Sequence, residues 1–357
     1  KSRPTISEVA RAAGVGRSSA ARALGGYGSV SEDTRRKVLE TARELGYVTN
    51  ELARSMATGE TRSLGVILAD IANPFFSQVM RGVADAAAEQ GYDVLIANTD
   101  EDVAAEKAAI RTLLNKQVDG ILIAPAGAAH DPAQHLDMFA EHDVPVVQFD
   151  RVVNSLKSDT VVIDNAQSAE EAVDRLIAAG HRRIGLAWGP QSAEPLASAD
   201  ALAALLPHEI SSTGERVRGY LRSLDKAGID VDPHLVMRGE QTAAGVAEFI
   251  RERLTDGSGM TACLLTESDG VIGALKALRQ LNKQCPRDLS LVAFDNAPWM
   301  EVTTPALSVV EQPAREMGEV ATGIVIDRIR QGGGPILTIH LDATFVERDS
   351  IGRGPGA

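Results

Sequence analysis

The chain has 357 residues, 44% hydrophobic and only 4% aromatic, with a formal net charge of −13. That length holds two or three domains with buried cores, and no uncharged run of 18 apolar residues is present to span a membrane. The acidic total argues against nucleic acid until it is mapped. Residues 1–62 carry eleven Lys and Arg against seven Asp and Glu, and the remaining 295 carry 25 against 42. A mildly basic head can therefore approach DNA, while the acidic body is repelled by it.

KSRPTISEVARAAG has no apolar core of a secretory leader. Cys263 and Cys285 lie far from any metal-ligand spacing, which fits packing thiols in a reducing cytoplasm. The head reads as three short helices. Thr5 and Glu8 form a capping box ahead of Ile6, Val9, Ala10 and Ala13 at helical spacing. Gly14-Val15-Gly16 turns the chain into a second helix from residue 17 to about 24. Ser31 caps a third, which presents Val38, Leu39, Ala42 and Leu45 on one face and stops at Gly46. A phosphate-cradling loop at Gly14–Gly16 would need a strand before it and a third glycine after it. A helix precedes and Ser18-Ser19-Ala20 follows, which describes a helix-turn-helix.

Residues 47–62 are weakly patterned and read as a linker with one marginal helix over 50–57, too short to form alone in water. The expected boundaries are a helix-turn-helix domain over 1–48, a hinge over 49–62 and a two-lobed effector-binding and dimerisation domain over 63–357. From Ser63, eight β-branched-rich runs alternate with helical segments: LGVILAD, YDVLIAN, GILIAP, VPVVQFD, TVVIDN, IGLAW, TACLLTE and LSLVAFD. The fold class is α/β: an all-α head, then two doubly wound lobes whose parallel sheets are covered on both faces. Ligands of such sheets bind at the carboxyl ends of strands. Unusual polar residues fall there: Asp70 to Asn73, Asp150-Arg151, Asp164-Asn165, Glu267 and Asp295.

TISEVARAAGVGRSSAARALGGYGSVSEDTRRKVLETARELGY, NELARSMA and SLGVILADIANPFF, followed in order by PVVQFDR, VVIDN, GHRRIGLAWGP, RVRGY, LSLVAFDN, PALSVVEQP and FVERDS, resemble the lac-repressor (LacI) family of bacterial transcription regulators along essentially the whole chain. The resemblance implies a DNA head, a hinge and a two-lobed effector domain of the periplasmic sugar-binding type. It makes Arg17, Ser18, Ser19 and Arg22 the reading face in the major groove, with Thr5 and Tyr27 beside them. Arginine suits this role because it binds guanine O6 and N7 with two hydrogen bonds. The alternative leaves Arg17 and Arg22 as solvated charges. In the hinge, Ala53 and Met56 match positions that wedge into the minor groove, with Asn50 and Arg54 as flanking contacts; Met56 packing onto the head is the other reading. Gly16 replaces a hydroxyl cap, SSAAR replaces the more usual T-V-S-R, Thr49 replaces a proline and Met56 a leucine. No relative's operator sequence therefore transfers.

In the body, Asn73 with the adjacent Phe75 and Phe76 reads as a stacking platform for a sugar, against the alternative of core packing. Resemblance to sugar-responsive repressors adds Asp150, Arg151, Arg216, Phe294, Asp295 and Gln312. Carboxylates and guanidinium forks exchange paired hydrogen bonds with vicinal hydroxyls. Gln241 stands where relatives often have an aromatic and Glu267 where they often have Asn. Trp299 reaches the pocket or serves the structure. The extra segment QSAEPLASADALAALLPHEISS reads as a lid helix or as a surface insertion.

His130, His135 and His142 lack partners at metal spacing, so neither metal nor cofactor is expected. No catalytic triad or paired-carboxylate site stands out either. The expected function is a cytoplasmic repressor. It binds a palindromic operator in double-stranded DNA as a homodimer, touches no membrane, and answers to a small-molecule effector, first of all a pentose or similar neutral monosaccharide. RDSIGRGPGA at the end has no apolar heptads for a tetramer helix. The rivals are a sugar-binding solute receptor without DNA regulation and a sugar-processing enzyme.

Overall fold

The structure, a computed structural model, describes residues 4–47, 59–130, 133–187, 198–239 and 241–355. The chain forms two compact units, 1–62 and 63–357.

The first unit is built from α1 (Ile6–Ala12), α2 (Arg17–Gly25) and α3 (Glu32–Leu45). Val9, Ala10, Ala13, Ala20, Ala23, Val38 and Ala42 form its core. Alanine dominates because three short helices at close approach leave room for little else. The turn from α1 into α2 runs through Gly14 at φ +65°, a backbone region that favours glycine. At α1, the Glu8 carboxylate accepts from the Thr5 N–H at 2.7 Å and the Thr5 hydroxyl at 3.0 Å. These bonds hold Glu8 below its usual carboxylate range. The expected apolar face of α3 is only half right: Val38 and Ala42 are buried, but Leu39 is 42% and Leu45 41% exposed. Positions 38 and 42, one turn apart, point at the core, and 39 and 45 lie off that stripe.

The second unit has two lobes. Lobe 1 is a six-stranded, all-parallel sheet ordered β10-β5-β4-β3-β1-β2. Its strands are β1 (Ser63–Leu68), β2 (Asp93–Asn98), β3 (Gly120–Ile123), β4 (Val146–Phe149), β5 (Asp159–Ile163) and β10 (Thr338–Leu341). Helices α4 (Pro74–Glu89), α5 (Val103–Asn115), the short α6 (Met138–Glu141) and, late in the chain, α13 (Ala314–Gln331) flank it. Lobe 2 is ordered β11-β9-β8-β7-β6, from β6 (Ile184–Ala187), β7 (Ala262–Leu265), β8 (Ser290–Phe294), β9 (Ser308–Glu311) and β11 (Thr344–Val346). Around it lie α7 (Asn165–Ala178), α8 (Ala199–Leu205), α9 (Ser211–Lys226), α10 (Ala243–Arg253), α11 (Ser268–Gln280) and the short α12 (Trp299–Val302).

The chain passes between lobes three times: from β5 into α7, from β9 into α13 and from β10 into β11. One buried apolar cluster runs through both lobes, from Leu64 and Phe149 to Leu264 and Phe294. Two further clusters back the opposite faces of the sheets.

The strand pattern departs from expectation in two ways. β9, β10 and β11 extend the eight expected strands, and β11 runs antiparallel to β9. The lobe 1 sheet is also not covered throughout: on edge strand β2, Leu95 is 37% and Ile96 49% exposed. Cys263 is buried and Cys285 half-buried, both unpaired, and burial pushes each thiol up to about 12. In the extra segment, α8 is no loose surface insertion, since Leu202 and Leu206 insert into the shared core. Residues 191–197 of that segment lie outside the described ones.

Candidate functional site

Strand ends build the site between the lobes. Asn73 follows β1 and caps α4, accepting from the Phe75 N–H at 3.0 Å. Asp150 and Arg151 follow β4, Asn165 begins α7 after β5, Glu267 caps α11 after β7, Asp295 follows β8 and Gln312 follows β9. In parallel sheets these ends open into the gap where ligands are held. Asp150 and Asp295 sit at φ +62° and +67°, a strained region that aspartate tolerates better than most residues and that concentrates at functional sites.

Arg216 comes from α9 and is 3% exposed. Its Nε donates to Asn165 Oδ1 at 2.8 Å and its Nη1 to the Thr266 carbonyl at 2.7 Å. Nη1 also reaches Glu267 Oε1 at 3.3 Å, and the guanidinium stacks 4.2 Å from the Phe294 ring centroid. Arg151 spans Asp150 at 3.2 Å and Glu101 at 2.7 Å, and it lies 5.7 Å from the Phe76 ring centroid. Gln312 Nε2 donates to Asp295 Oδ1 at 2.7 Å. Asn73 Nδ2 and Glu267 Oε2, on opposite lobes, are 3.5 Å apart, the outer limit of a hydrogen bond.

Burial raises the pKa of three carboxyls here, because a charged carboxylate loses hydration inside a low-dielectric gap. Glu267 is pushed up to about 8; Arg216 and Arg151 oppose the shift, and Asp295 and Asp150 add to it. Burial also raises Asp150, against Arg151 and Arg216, and Asp295, against Arg216 and the Gln312 hydrogen bond. Between the ordinary 4.5 and about 8, folded Glu267 holds a proton that the unfolded chain has released. Stability therefore falls as pH rises through that window. Thermal unfolding across it should show a falling midpoint that Glu267→Gln flattens. A wild-type midpoint rising through the same window would contradict this account.

Three buried side-chain atoms at these strand ends have no hydrogen-bond partner among the described residues: Arg151 Nη1, Ser268 Oγ and Gln312 Oε1. They are respectively a donor, a hydroxyl and an acceptor. Buried polar atoms left unpaired are costly, and a polyhydroxylated guest would satisfy all three. A groove of about 630 Å³ lies beside the cluster, walled by Asp150 and Asn165 and by Thr160, Ser211 and Arg218. That volume is in the range of small-molecule sites.

The remaining expected residues fall differently. Phe75 and Phe76 are 6% and 2% exposed, edge to face at 5.2 Å, with Phe76 also against Phe149. Neither presents the open platform expected of it, because the first turn of α4 drives both rings into the core and Arg151 lies over Phe76. Trp299 is half-buried against the lobe 2 core. Gln241 is half-buried just before Thr242, the cap of α10. Glu101 and Ser268 belong to the cluster and were not among the expected residues; Asn165 belongs to it too and was noted only as a strand-end residue, not assigned to the effector. Asn165 had a signal, as a polar residue at a strand end; Glu101 and Ser268 had none.

The histidines are engaged elsewhere. His135 Nε2 pairs with the fully buried Glu106 at 2.6 Å, His130 faces the Pro207 carbonyl and His142 that of Met138. Among the described residues, no group of three His, Cys, Asp or Glu is placed to hold a metal ion, and no helix is long and apolar enough to cross a membrane.

In the head, Arg17, Ser18 and Arg22 lie exposed along α2, Ser19 and Tyr27 are half-buried, and Thr5 is exposed with its hydroxyl turned to Glu8. Asn50, Ala53, Arg54 and Met56 lie outside the described residues.

Residues 61–347 match the family described as periplasmic binding proteins and sugar binding domain of the LacI family, and residues 5–50 match bacterial regulatory proteins, lacI family. The chain is 31% identical to the HTH-type transcriptional repressor CytR of Escherichia coli (strain K12), over 91% of this chain and 90% of the relative. It is 29% identical to the ribose operon repressor of Haemophilus influenzae, over 97% and 98%. A solved complex of the transcriptional regulator CelR with cellobiose superposes with a TM-score of 0.69 at 28% identity, covering 98% of this chain and all of that one. A three-helix head and a two-lobed α/β body, matched in order by both family models, are the parts of a regulator and not of an enzyme: the chain belongs to the LacI family of DNA-binding bacterial transcription regulators.

Proposed function

We propose that the chain is a cytoplasmic repressor whose grip on a palindromic operator is set by a sugar or sugar derivative held between its lobes. The observation that carries the effector half is the convergence of two buried arginines and three unpaired buried polar atoms on strand ends from both lobes. The relatives named for ribose and bound to cellobiose favour a sugar. An effector making different contacts in the open and closed lobes shifts their equilibrium by that difference alone. The three interlobe passages are where such a change is absorbed. A coupling of about 1–3 kcal/mol would alter operator affinity roughly 5- to 150-fold. Selecting duplexes from a random pool with the full chain, then titrating sugars into the complex, tests the reading. Absence of any preferred duplex at moderate salt would sink it.

In the head, α2 offers Arg17, Ser18 and Arg22 to the major groove. Arg22→Ala and Arg17→Ala are each expected to cost the selected duplex about 1–3 kcal/mol. Binding to random DNA should fall far less, which fluorescence anisotropy with both probes will show. Equal losses on both would make the arginines general phosphate contacts.

The dimer is assigned to the uncovered edge of lobe 1. Ile71, Leu95, Ile96 and Val103 are 47%, 37%, 49% and 44% exposed, all on or beside β2. Two copies meeting by a twofold axis would cover this apolar edge. Replacing Leu95 and Ile96 together by Asp should shift sedimentation from dimer to monomer. A dimer that survives the replacement removes this edge from the interface.

A further inference from the structure

The cleft buries more carboxyls than guanidiniums. Asp150, Glu267 and Asp295 converge there with Arg151 and Arg216. Arg151 is already shared between Asp150 and the rim carboxylate Glu101. Arg216 spends its shortest bonds on Asn165 and the Thr266 carbonyl, and meets Glu267 at 3.3 Å. Asp295 makes no ion pair among the described residues; Gln312 donates to one of its oxygens, which leaves Gln312 Oε1 buried without a donor. The lobe 2 side of the cleft therefore sets two carboxyls and one amide oxygen beside the single guanidinium of Arg216 and the Ser268 hydroxyl. Glu267 keeps 17% of its side chain exposed, so a guest can reach it.

A hydroxyl would satisfy hydrogen bonds there but bring no charge to pair with Asp295 or to ionise Glu267. An anion would lie against buried acids, at a cost that rises steeply as water is excluded. An ammonium brings three donors, no acceptor and one positive charge. The groups facing Glu267 are Arg216 from α9, Asp295 after β8, Asp150 and Arg151 after β4 and Asn73 after β1. Its carboxyl, raised to about 8 by burial, is mostly protonated at neutral pH and would ionise as a cation arrives.

We propose that the effector is an amine-bearing polyol, an amino sugar in its ammonium form, whose nitrogen is received by Glu267, Asp295 and Gln312 Oε1, so that Glu267 sets the charge class of the ligand. The inference rests on the reading of the cleft as the effector site. When the ammonium binds, the Glu267 carboxyl gives its proton to solvent and pairs with the ligand as a carboxylate. Binding therefore releases a proton.

The test is calorimetric titration of the full chain at about pH 6.5, where the amine is mostly protonated and Glu267 still holds its proton. The probes are glucosamine, galactosamine and mannosamine, their N-acetyl derivatives, the parent hexoses and ribose, and the hexose 6-phosphates, each in two buffers of different ionisation heat. At least one amino hexose should bind about tenfold or more tightly than its N-acetyl and neutral counterparts, with proton release. Glu267→Gln should weaken that binding by about tenfold or more and abolish the release. Selective DNA binding by the variant reports that it is folded. A neutral or phosphorylated sugar binding as tightly as any amine, or an amine binding without proton release, overturns the charge assignment and leaves the cleft as the effector site. If no sugar of any class binds while DNA binding is intact, the cleft reading falls and this inference with it.

Discussion

Arg216→Met is expected to lower the thermal midpoint of the body by roughly 6–10 °C near neutral pH, and by more near pH 9. The reason lies in what the guanidinium holds. It ties α9 to Asn165 at the start of α7 and to the Thr266 carbonyl after β7, and it is a nearby cation for Glu267, Asp295 and Asp150. Removing one partner of a buried charge network typically costs about 3–5 kcal/mol, because the partners remain buried without compensation. Protonation of Glu267 relieves part of that cost near neutrality and fails to do so in alkali, which produces the pH dependence. The double variant Arg216→Met, Glu267→Gln should recover part of the loss, since the second change removes one stranded acid. Melting curves of the single and double variants at the two pH values decide the matter. A single variant as stable as wild type at both, or no recovery in the double, would mean that Arg216 is not the electrostatic centre of the cleft.

The second large effect lies away from charge. Helices α4 and α13 cross with their backbones in contact at two glycines. A Cβ on Gly82 would stand 2.0 Å from the Arg315 carbonyl oxygen, and one on Gly318 would stand 2.1 Å from that of Val79. No rotamer change relieves a clash with backbone, so the helices must separate and open the core they share. Gly318→Val is expected to destabilise the body by about 3 kcal/mol or more, and Gly82→Ala by a smaller amount of the same sign. Should Gly318→Val prove insoluble, Gly82→Ala carries the test by chemical denaturation. A midpoint unchanged in Gly82→Ala would show that the two helices do not approach this closely. Both positions lie outside the cleft, so the folded fraction of either variant should bind effector as wild type does.

Much of this molecule is legible without coordinates because its patterns are local. The Thr5–Glu8 pairing, the Gly14 turn and the Ser31 cap each lie within one turn of chain, and the backbone there answers to its own residues. The buried strands β1, β3, β4, β5, β7 and β8 announce themselves as predominantly apolar runs, since both faces of a parallel sheet are covered. β10 and β11 escaped because they are short edge strands with exposed positions, which no apolar run marks. The exposed edge of β2 escaped for the opposite reason: an apolar run there reads as buried, and only the sheet order reveals that β2 is an edge strand, left exposed among the described residues of the body. Strand ends located the site, but not which groups meet in it. Arg216 and Asn165 are 51 positions apart, and Asn73 and Glu267 are 194 apart. Their encounter depends on three interlobe passages that no local pattern encodes. The same holds for Phe75 and Phe76, whose adjacency suggested an open platform until packing turned them inward. Strand-end position and the family resemblance together placed acids and arginines at the cleft. Tertiary structure decided how many of each are buried together, and a carboxyl's charge and pKa depend on that local density of charge and loss of water, not on its place in the chain.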